Sequence, residues 1–267
     1  RLQPGEYTLA GNISSQFISG LLFALPLLNG DSVLTLTTEL ESAGYVDMTL
    51  NVLSRFGIKI MQGKSRKGLR TYKVKGNQRY CEPDDLVIEG DWSNASFWLA
   101  CGALGGDITC RGLSLTSSQP DREIVDILRK MGAEVSEINA IGENTAGEKN
   151  YSEIRVISCR GAALKAAEVS VAQTPDLVPV LAAVMSLADG ASMITDAGRL
   201  KIKESDRLRT VFDFLSKLGA DITYGGESLS ITGLPALSGG EIDGHNDHRI
   251  VMAAAVASCG CEMPVTI

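Results

Sequence analysis

Arg209–Ile222 reads RTVFDFLSKLGADI. Its apolar residues recur at helical spacing, Gly219 closes the helix, and Ala220-Asp221-Ile222 starts a strand. The same grammar occurs in Met48–Ile60 (MTLNVLSRFGIKI) and Glu123–Val135 (EIVDILRKMGAEV). Gly57, Gly132 and Gly219 are therefore expected just past a helix end, where the left-handed conformation penalises any residue with a Cβ.

A second series interleaves with the first. Ser14–Leu36, Ser93–Leu113, Thr174–Leu200 and Asn246–Ile267 each run from a polar start through an almost wholly apolar helix and a Gly-containing turn to an apolar strand. Helices so uniformly apolar are expected to be buried on most sides. Together the series give strand, buried helix, strand, amphipathic helix and two further strands. Hairpins are expected at Tyr224-Gly225-Gly226-Glu227 and around Gly142–Lys149. The period, roughly 75 to 90 residues, is too long for a solenoid repeat and suits a small α+β subdomain. A polar stretch, Gly76–Asp85, precedes an expected strand at Leu86–Glu89 and marks a boundary between residues 1–87 and 88–267.

Composition sets the outer limits. The chain has 267 residues, 44% hydrophobic and 21% charged, which suits a globular protein of one or two domains. A formal charge of −7 gives no global attraction for nucleic acid or an anionic membrane, so an anionic ligand must be held by a local cluster of cations and amides. No apolar run is long enough to cross a bilayer and no signal peptide opens the chain. Cys81, Cys101, Cys110, Cys159, Cys259 and Cys261 form no CxxC pair and read as reduced packing thiols of a cytoplasmic protein. His245 and His248 lack a third ligand at metal-binding spacing, so no metal is expected. The chain opens on Arg1 rather than Met and closes on an apolar strand pattern, Met263–Ile267, which reads as a fragment of a longer polypeptide.

Four segments could carry chemistry. In Gly11–Gln16, Ser14 or Ser15 caps a helix expected over Phe17–Leu28. This leaves hydroxyls, an amide and free N–H groups at a positive helix end, a phosphate cradle in outline, although N-capping alone accounts for the serines. Thr174-Pro175-Asp176 opens a helix expected over Leu177–Leu187, with Thr174 as N-cap. Asp176 then either complements the dipole or serves as a base tuned by whatever binds opposite it. Lys201–Leu208 (KIKESDRL) places Lys203 and Arg207 four apart on one expected helical face with Glu204 beside them: two cations for an anion and one carboxylate for a proton, or simply a solvated first turn. In Asn246–Arg249, Asn246 is the expected N-cap and Asp247 a first-turn acid, while His248 and Arg249 add positive charge to an already positive end. Basic residues at two helix starts make physical sense if an anion sits there.

Taken in order, these segments resemble the 5-enolpyruvylshikimate-3-phosphate synthase family over essentially the whole chain. The resemblance implies an α+β enolpyruvyl transferase-like fold of two domains, each built from repeated βαβαββ units. Residues 1–87 would be the C-terminal portion of the first, shikimate 3-phosphate-side domain, and 88–267 most of the second. It further implies that Ser14, Ser15, Gln16, Ser42, Asp176 and Lys203 contact shikimate 3-phosphate, and that Gln16, Arg207 and Arg249 contact phosphoenolpyruvate. Asp176, Lys203 and Glu204 would be the catalytic set. The implied reaction transfers the enolpyruvyl group to the 5-hydroxyl of shikimate 3-phosphate by addition and elimination, in a monomer that uses no cofactor. Family residues needed for turnover fall outside this sequence, so the stretch alone is expected to be inactive. The alternatives are the sister transferase acting on UDP-N-acetylglucosamine and a non-catalytic lobe that binds phosphorylated ligands.

Overall fold

The computed structural model describes residues 1–84, 86, 88–139, 152–157 and 164–267. They fall into two compact units, Arg1–Ile88 with Ser118–Pro120, and Glu89–Ser117 with Asp121–Ile267.

The first unit runs β1 (Glu6–Leu9), α1 (Ser15–Ala24), β2 (Ser32–Leu36), α2 (Ala43–Arg55), β3 (Ile60–Lys64) and β4 (Arg70–Val74). Its sheet has the order β1-β2-β4-β3, with β1 and β2 parallel and the other pairs antiparallel. β2 buries Ser32, Leu34 and Leu36 on one face, the period-2 signature of a strand lying on a core. Ile18 and Leu22 of α1 and Val46 and Leu53 of α2 fill that core with Tyr72 and Val74.

The second unit contains α3 (Trp92–Ala103), β5 (Asp107–Leu113), α4 (Ile124–Lys130), β6 (Glu134–Asn139) and β7 (Ser152–Ile157), whose strands pair in the order β5-β7-β6. Next come β8 (Glu168–Ser170), α5 (Val178–Met185), β9 (Ala191–Thr195), α6 (Arg207–Lys217), β10 (Asp221–Gly225) and β11 (Ser228–Thr232). This sheet reads β8-β9-β11-β10, with β8 and β9 parallel and the rest antiparallel. It is the topology of the first unit, strand for strand. The last elements are β12 (Gly240–Glu241), α7 (His248–Ala257) and β13 (Val265–Thr266), with β12 and β13 parallel on either side of a helix as β1 and β2, and β8 and β9, are.

The glycine expectation holds at all three positions. Gly57, Gly132 and Gly219 stand at φ 79°, 99° and 89°. Each helix closes with paired bonds of the Schellman type. In α6, Gly219 N–H donates to Ser216 O (3.0 Å) and Ala220 N–H to Leu215 O (3.0 Å). The hairpin expected near Tyr224 forms one residue later: Gly225 pairs with Ser228, and Gly226 (φ 62°) and Glu227 make the turn.

Three expectations need correction. Leu86, Ile88 and Glu89 carry no strand. The apolar helix starting at Ser15 ends at Ala24 and passes into a 3-10 turn at Leu25–Leu27, where Pro26 lacks the N–H to continue the ladder. The series of apolar helices is also not uniformly buried. Every residue of α5 is buried, and α3, α5 and α7 pack together, but α1 leaves Phe17 61% exposed and Phe23 42%. The hairpin expected around Gly142–Lys149 and the thiol of Cys159 lie outside the described residues.

Candidate active site

In the second unit, charged side chains from three helix starts and one loop meet. Arg207 is the first residue of α6, behind the N-cap Asp206, which accepts from Arg209 N–H at 3.3 Å. The helical period places Arg207 on the same face as Val211 and Phe214, so its guanidinium is carried into the interior and left 1% exposed. A buried cation requires partners, and three carboxylates supply them. Asp247 accepts Arg207 Nε–H at 2.8 Å and Nη2–H at 3.2 Å; Asp176 accepts Nη1–H at 2.9 Å; Glu204 lies 2.6 Å from Nη2.

Asp176 gathers the remaining cations. Lys203 Nζ stands 3.2 Å from its Oδ1 and Arg249 Nη2 3.4 Å from its Oδ2. Burial pushes the Asp176 carboxyl up, but Arg249, Lys203 and Arg207 together outweigh burial and hold it below its ordinary value. With those partners in place the Asp176 carboxyl is held ionised. Any anion that draws Arg249 or Lys203 to itself weakens their hold and makes Asp176 a stronger base.

The local structure differs from expectation in ways that matter. Lys203 and Glu204 are not on a helix with Arg207. Gly198–Ile202 forms a 3-10 turn, Lys203 is extended, and α6 begins only at Arg207, so a bend rather than one helical face brings the three together. At α7 the N-cap is Asp247, accepting from Arg249 N–H at 3.0 Å, whereas Asn246 sits at φ 52° one residue before. Thr174 does not cap its helix; its hydroxyl donates to Glu123 Oε2 at 3.1 Å, and Pro175–Leu177 forms a 3-10 turn leading into α5.

In the first unit, Ser14 is the N-cap of α1 and accepts from Gln16 N–H at 3.2 Å; Gln16 is exposed. Thr38 Oγ1 lies alongside, accepting Gly11 N–H at 2.8 Å and donating to Asn12 Oδ1 at 3.0 Å. Glu41 N–H bonds Gly11 O at 3.2 Å, so the loop leading to Ser42 is tied to the loop leading to Ser14, Ser15 and Gln16. Ser42 precedes α2 at φ 51° and is 2% exposed. Gly44 has no room for a Cβ, which would stand 2.5 Å from Pro120.

Sequence reasoning took Asp247 for a dipole-matched acid and overlooked it as Arg207's partner. A signal was there: an arginine in phase with Val211 and Phe214 must go inside and must find a carboxylate. Among the described residues no group of three or more His, Cys, Asp or Glu could hold a metal ion, and no helix is long and apolar enough to cross a membrane.

The repeated βαβαββ topology and the cation–carboxylate cluster at its helix starts define an enolpyruvyl transferase-like α+β protein. Residues 2–267 match the family model described as EPSP synthase (3-phosphoshikimate 1-carboxyvinyltransferase), and the chain belongs to that family. Among its relatives, the 3-phosphoshikimate 1-carboxyvinyltransferase of Clostridium acetobutylicum is 44% identical over 267 residues, and that of Clostridium kluyveri 45%. All of this chain is covered, with 57% and 58% of those proteins. The EPSP synthase structure from Acinetobacter baumannii superposes over 99% of this chain and 58% of its own, with TM-score 0.73 and 25% identity. The chain thus spans a little over half the length of these relatives.

Proposed function

We propose that the protein carrying this chain transfers the enolpyruvyl group of phosphoenolpyruvate to the 5-hydroxyl of shikimate 3-phosphate and releases phosphate. Family membership supports the reaction. The observation that carries it at the level of residues is Asp176 set against Lys203, Arg207 and Arg249, at 3.2, 2.9 and 3.4 Å. Two anionic reactants must be brought together while one proton is removed and another supplied, and this needs cations and carboxylates in a fixed arrangement.

Arg207 and Arg249 hold phosphoenolpyruvate, with Gln16. Ser14, Ser15, Gln16, Ser42 and Lys203 bind shikimate 3-phosphate. Asp176 takes the proton of the 5-hydroxyl as its oxygen bonds to the central carbon of phosphoenolpyruvate, and Glu204 delivers a proton to the methylene. The tetrahedral adduct then loses phosphate and a methyl proton, restoring the double bond. Residues 1–87 belong to the shikimate 3-phosphate-side domain and 88–267 to the other. The protein works as a cytoplasmic monomer.

The test uses the full-length natural polypeptide. Phosphate should be released from phosphoenolpyruvate only when shikimate 3-phosphate is present; release driven instead by UDP-N-acetylglucosamine overturns the assignment. Asp176→Asn and Glu204→Gln should lower kcat by about a hundred-fold or more with smaller changes in KM, and near-normal turnover removes that residue from the scheme.

A further inference from the structure

We infer that Asp247 is a positioning residue that aims Arg207 and Arg249 at the same anion. The inference rests on the proposed reaction, but its geometry is independent of it. Asp247 is fully buried and touches no open space, so it has no direct access to a substrate. Its two oxygens nevertheless set the direction of both arginines. Oδ2 accepts Arg207 Nε–H at 2.8 Å, and Oδ1 accepts Arg207 Nη2–H at 3.2 Å. A two-point contact on one edge fixes the plane of a guanidinium, and here it leaves Nη1 directed at Asp176. The same Oδ1 accepts Arg249 N–H at 3.0 Å and so caps α7, fixing the turn from which Arg249 reaches Asp176. Ser205 Oγ–H donates to Oδ2 at 2.9 Å and locks the carboxylate from the side of the loop that carries Lys203 and Glu204.

One carboxylate therefore joins the start of α7, the start of α6 and the loop between Ile202 and Arg207. Loss of its charge, with its shape kept, should misdirect the cations without unfolding the unit. Asparagine at this position still caps a helix, but it offers one acceptor oxygen where Arg207 and Ser205 need two.

The experiment compares Asp247→Asn with wild type in the full-length natural polypeptide, by steady-state kinetics and by calorimetric titration with phosphoenolpyruvate. Expected are a rise of about ten-fold or more in KM and Kd for phosphoenolpyruvate, and a change of less than about two-fold in KM for shikimate 3-phosphate. In an Arg207→Lys background the same substitution should add clearly less than it does alone, because the part exerted through the Arg207 guanidinium is already lost and only the part exerted through Arg249 remains. Ser205→Ala, which removes one bond to the same oxygen, gives the answer if Asp247→Asn fails to fold: a smaller rise confined to phosphoenolpyruvate.

Equal rises for both substrates, an unchanged phosphoenolpyruvate affinity in either variant, or full additivity with Arg207→Lys overturns the inference. If wild type binds phosphoenolpyruvate but does not turn over shikimate 3-phosphate, while Asp247→Asn loses that binding, the positioning role stands and the proposed reaction falls. Absence of both binding and turnover in wild type overturns both.

Discussion

Replacing Arg207 by methionine should invert the response of the fold to acid. Arg207 is 1% exposed and Asp247 0%, so the substitution leaves a carboxylate in the interior with only Ser205 Oγ–H and Arg249 N–H as donors. Breaking a buried ion pair from one side costs about 3–5 kcal/mol, a large share of the roughly 5–15 kcal/mol that stabilises a domain. For a folding unit of this size that corresponds to a fall in Tm of about 6–20 °C at neutral pH. The sign with pH follows from the charge. In wild type, burial pushes the Asp247 carboxyl up, but the hydrogen bonds from Arg207 and Ser205, the charge of Arg207 and the Arg249 amide outweigh burial and leave it below 3.8. Its contribution is therefore complete above that value and is lost as pH falls through the lowered one. Without Arg207, burial dominates and the folded-state value rises above the unfolded one, so acid relieves the defect. The gap between variant and wild type should narrow as pH falls from 7 towards 4. Urea unfolding followed by tryptophan fluorescence reports the right unit, because both tryptophans, Trp92 and Trp98, lie in it. Arg207→Met with Asp247→Leu should recover much of the loss. A variant that loses less than about 1 kcal/mol, or whose gap widens in acid, refutes the reasoning.

Gly233→Ala would place a Cβ 1.5 Å from Ala188 O, a backbone atom that cannot move aside, whereas Gly225→Ala meets nothing within 4 Å. The first should cost about 1–3 kcal/mol or more in chemical denaturation and the second well under that; equal effects refute the packing argument. Cys101 lies with its sulfur 4.0 Å from that of Cys259, and burial, with the neighbouring Cys259 adding to it, pushes the Cys101 thiol up to about 12. Iodoacetamide at pH 8 should therefore label exposed Cys259 well before Cys101, as read by peptide mass spectrometry, and matching rates would refute this. Asp91→Ala removes the side chain that accepts Ser93 N–H at 2.9 Å at the start of α3, and should lower stability by about 0.5–2 kcal/mol in thermal melts, with no change contradicting the capping role.

What the sequence disclosed about the fold came from elements that act locally. Gly57, Gly132 and Gly219 are legible because a Schellman close needs a positive φ within a few residues of the helix it ends. The repeat is legible because each copy places the same periodicities in the same order, and the two complete sheets duly share one topology. Lys203 and Glu204 were misplaced onto a helix because charged residues four apart look helical, whereas a 3-10 turn and an extended Lys203 achieve the same convergence. Asp247 was underread for the opposite reason. Its partner lies forty residues away in sequence and reaches it only after α6 and α7 pack, which no local pattern encodes. The exposure of Phe17 and Phe23 on α1 is not legible in its apolar composition because burial depends on neighbours: α1 packs on α2, whereas α5 packs against α3 and α7.

The proposed reaction asks one arrangement of charge both to bind an anion and to handle protons. Among the described residues, Lys203, Arg207 and Arg249 face Asp176, Glu204 and Asp247, three cations against three carboxylates, so the arginines are held without a ligand. The carboxylates are not equivalent. Asp247 is sealed, while the Asp176 side chain is 18% exposed and Glu204 49%, so among these three carboxylates an entering anion would compete with Asp176 and Glu204. In the proposed reaction phosphoenolpyruvate draws on Arg249, one of the cations that hold the Asp176 carboxyl down, and the carboxylate becomes more basic. Arg207 cannot follow the ligand in the same way, because Asp247 keeps its Nε edge. In the proposed reaction Arg207 sets where phosphoenolpyruvate lies, and the negative charge brought to Arg249 makes Asp176 more basic. Saturating phosphoenolpyruvate should therefore raise the Asp176 pKa followed by carboxyl NMR in the full-length polypeptide, and a value that stays put or falls would separate anion binding from the proton transfer assigned to that residue.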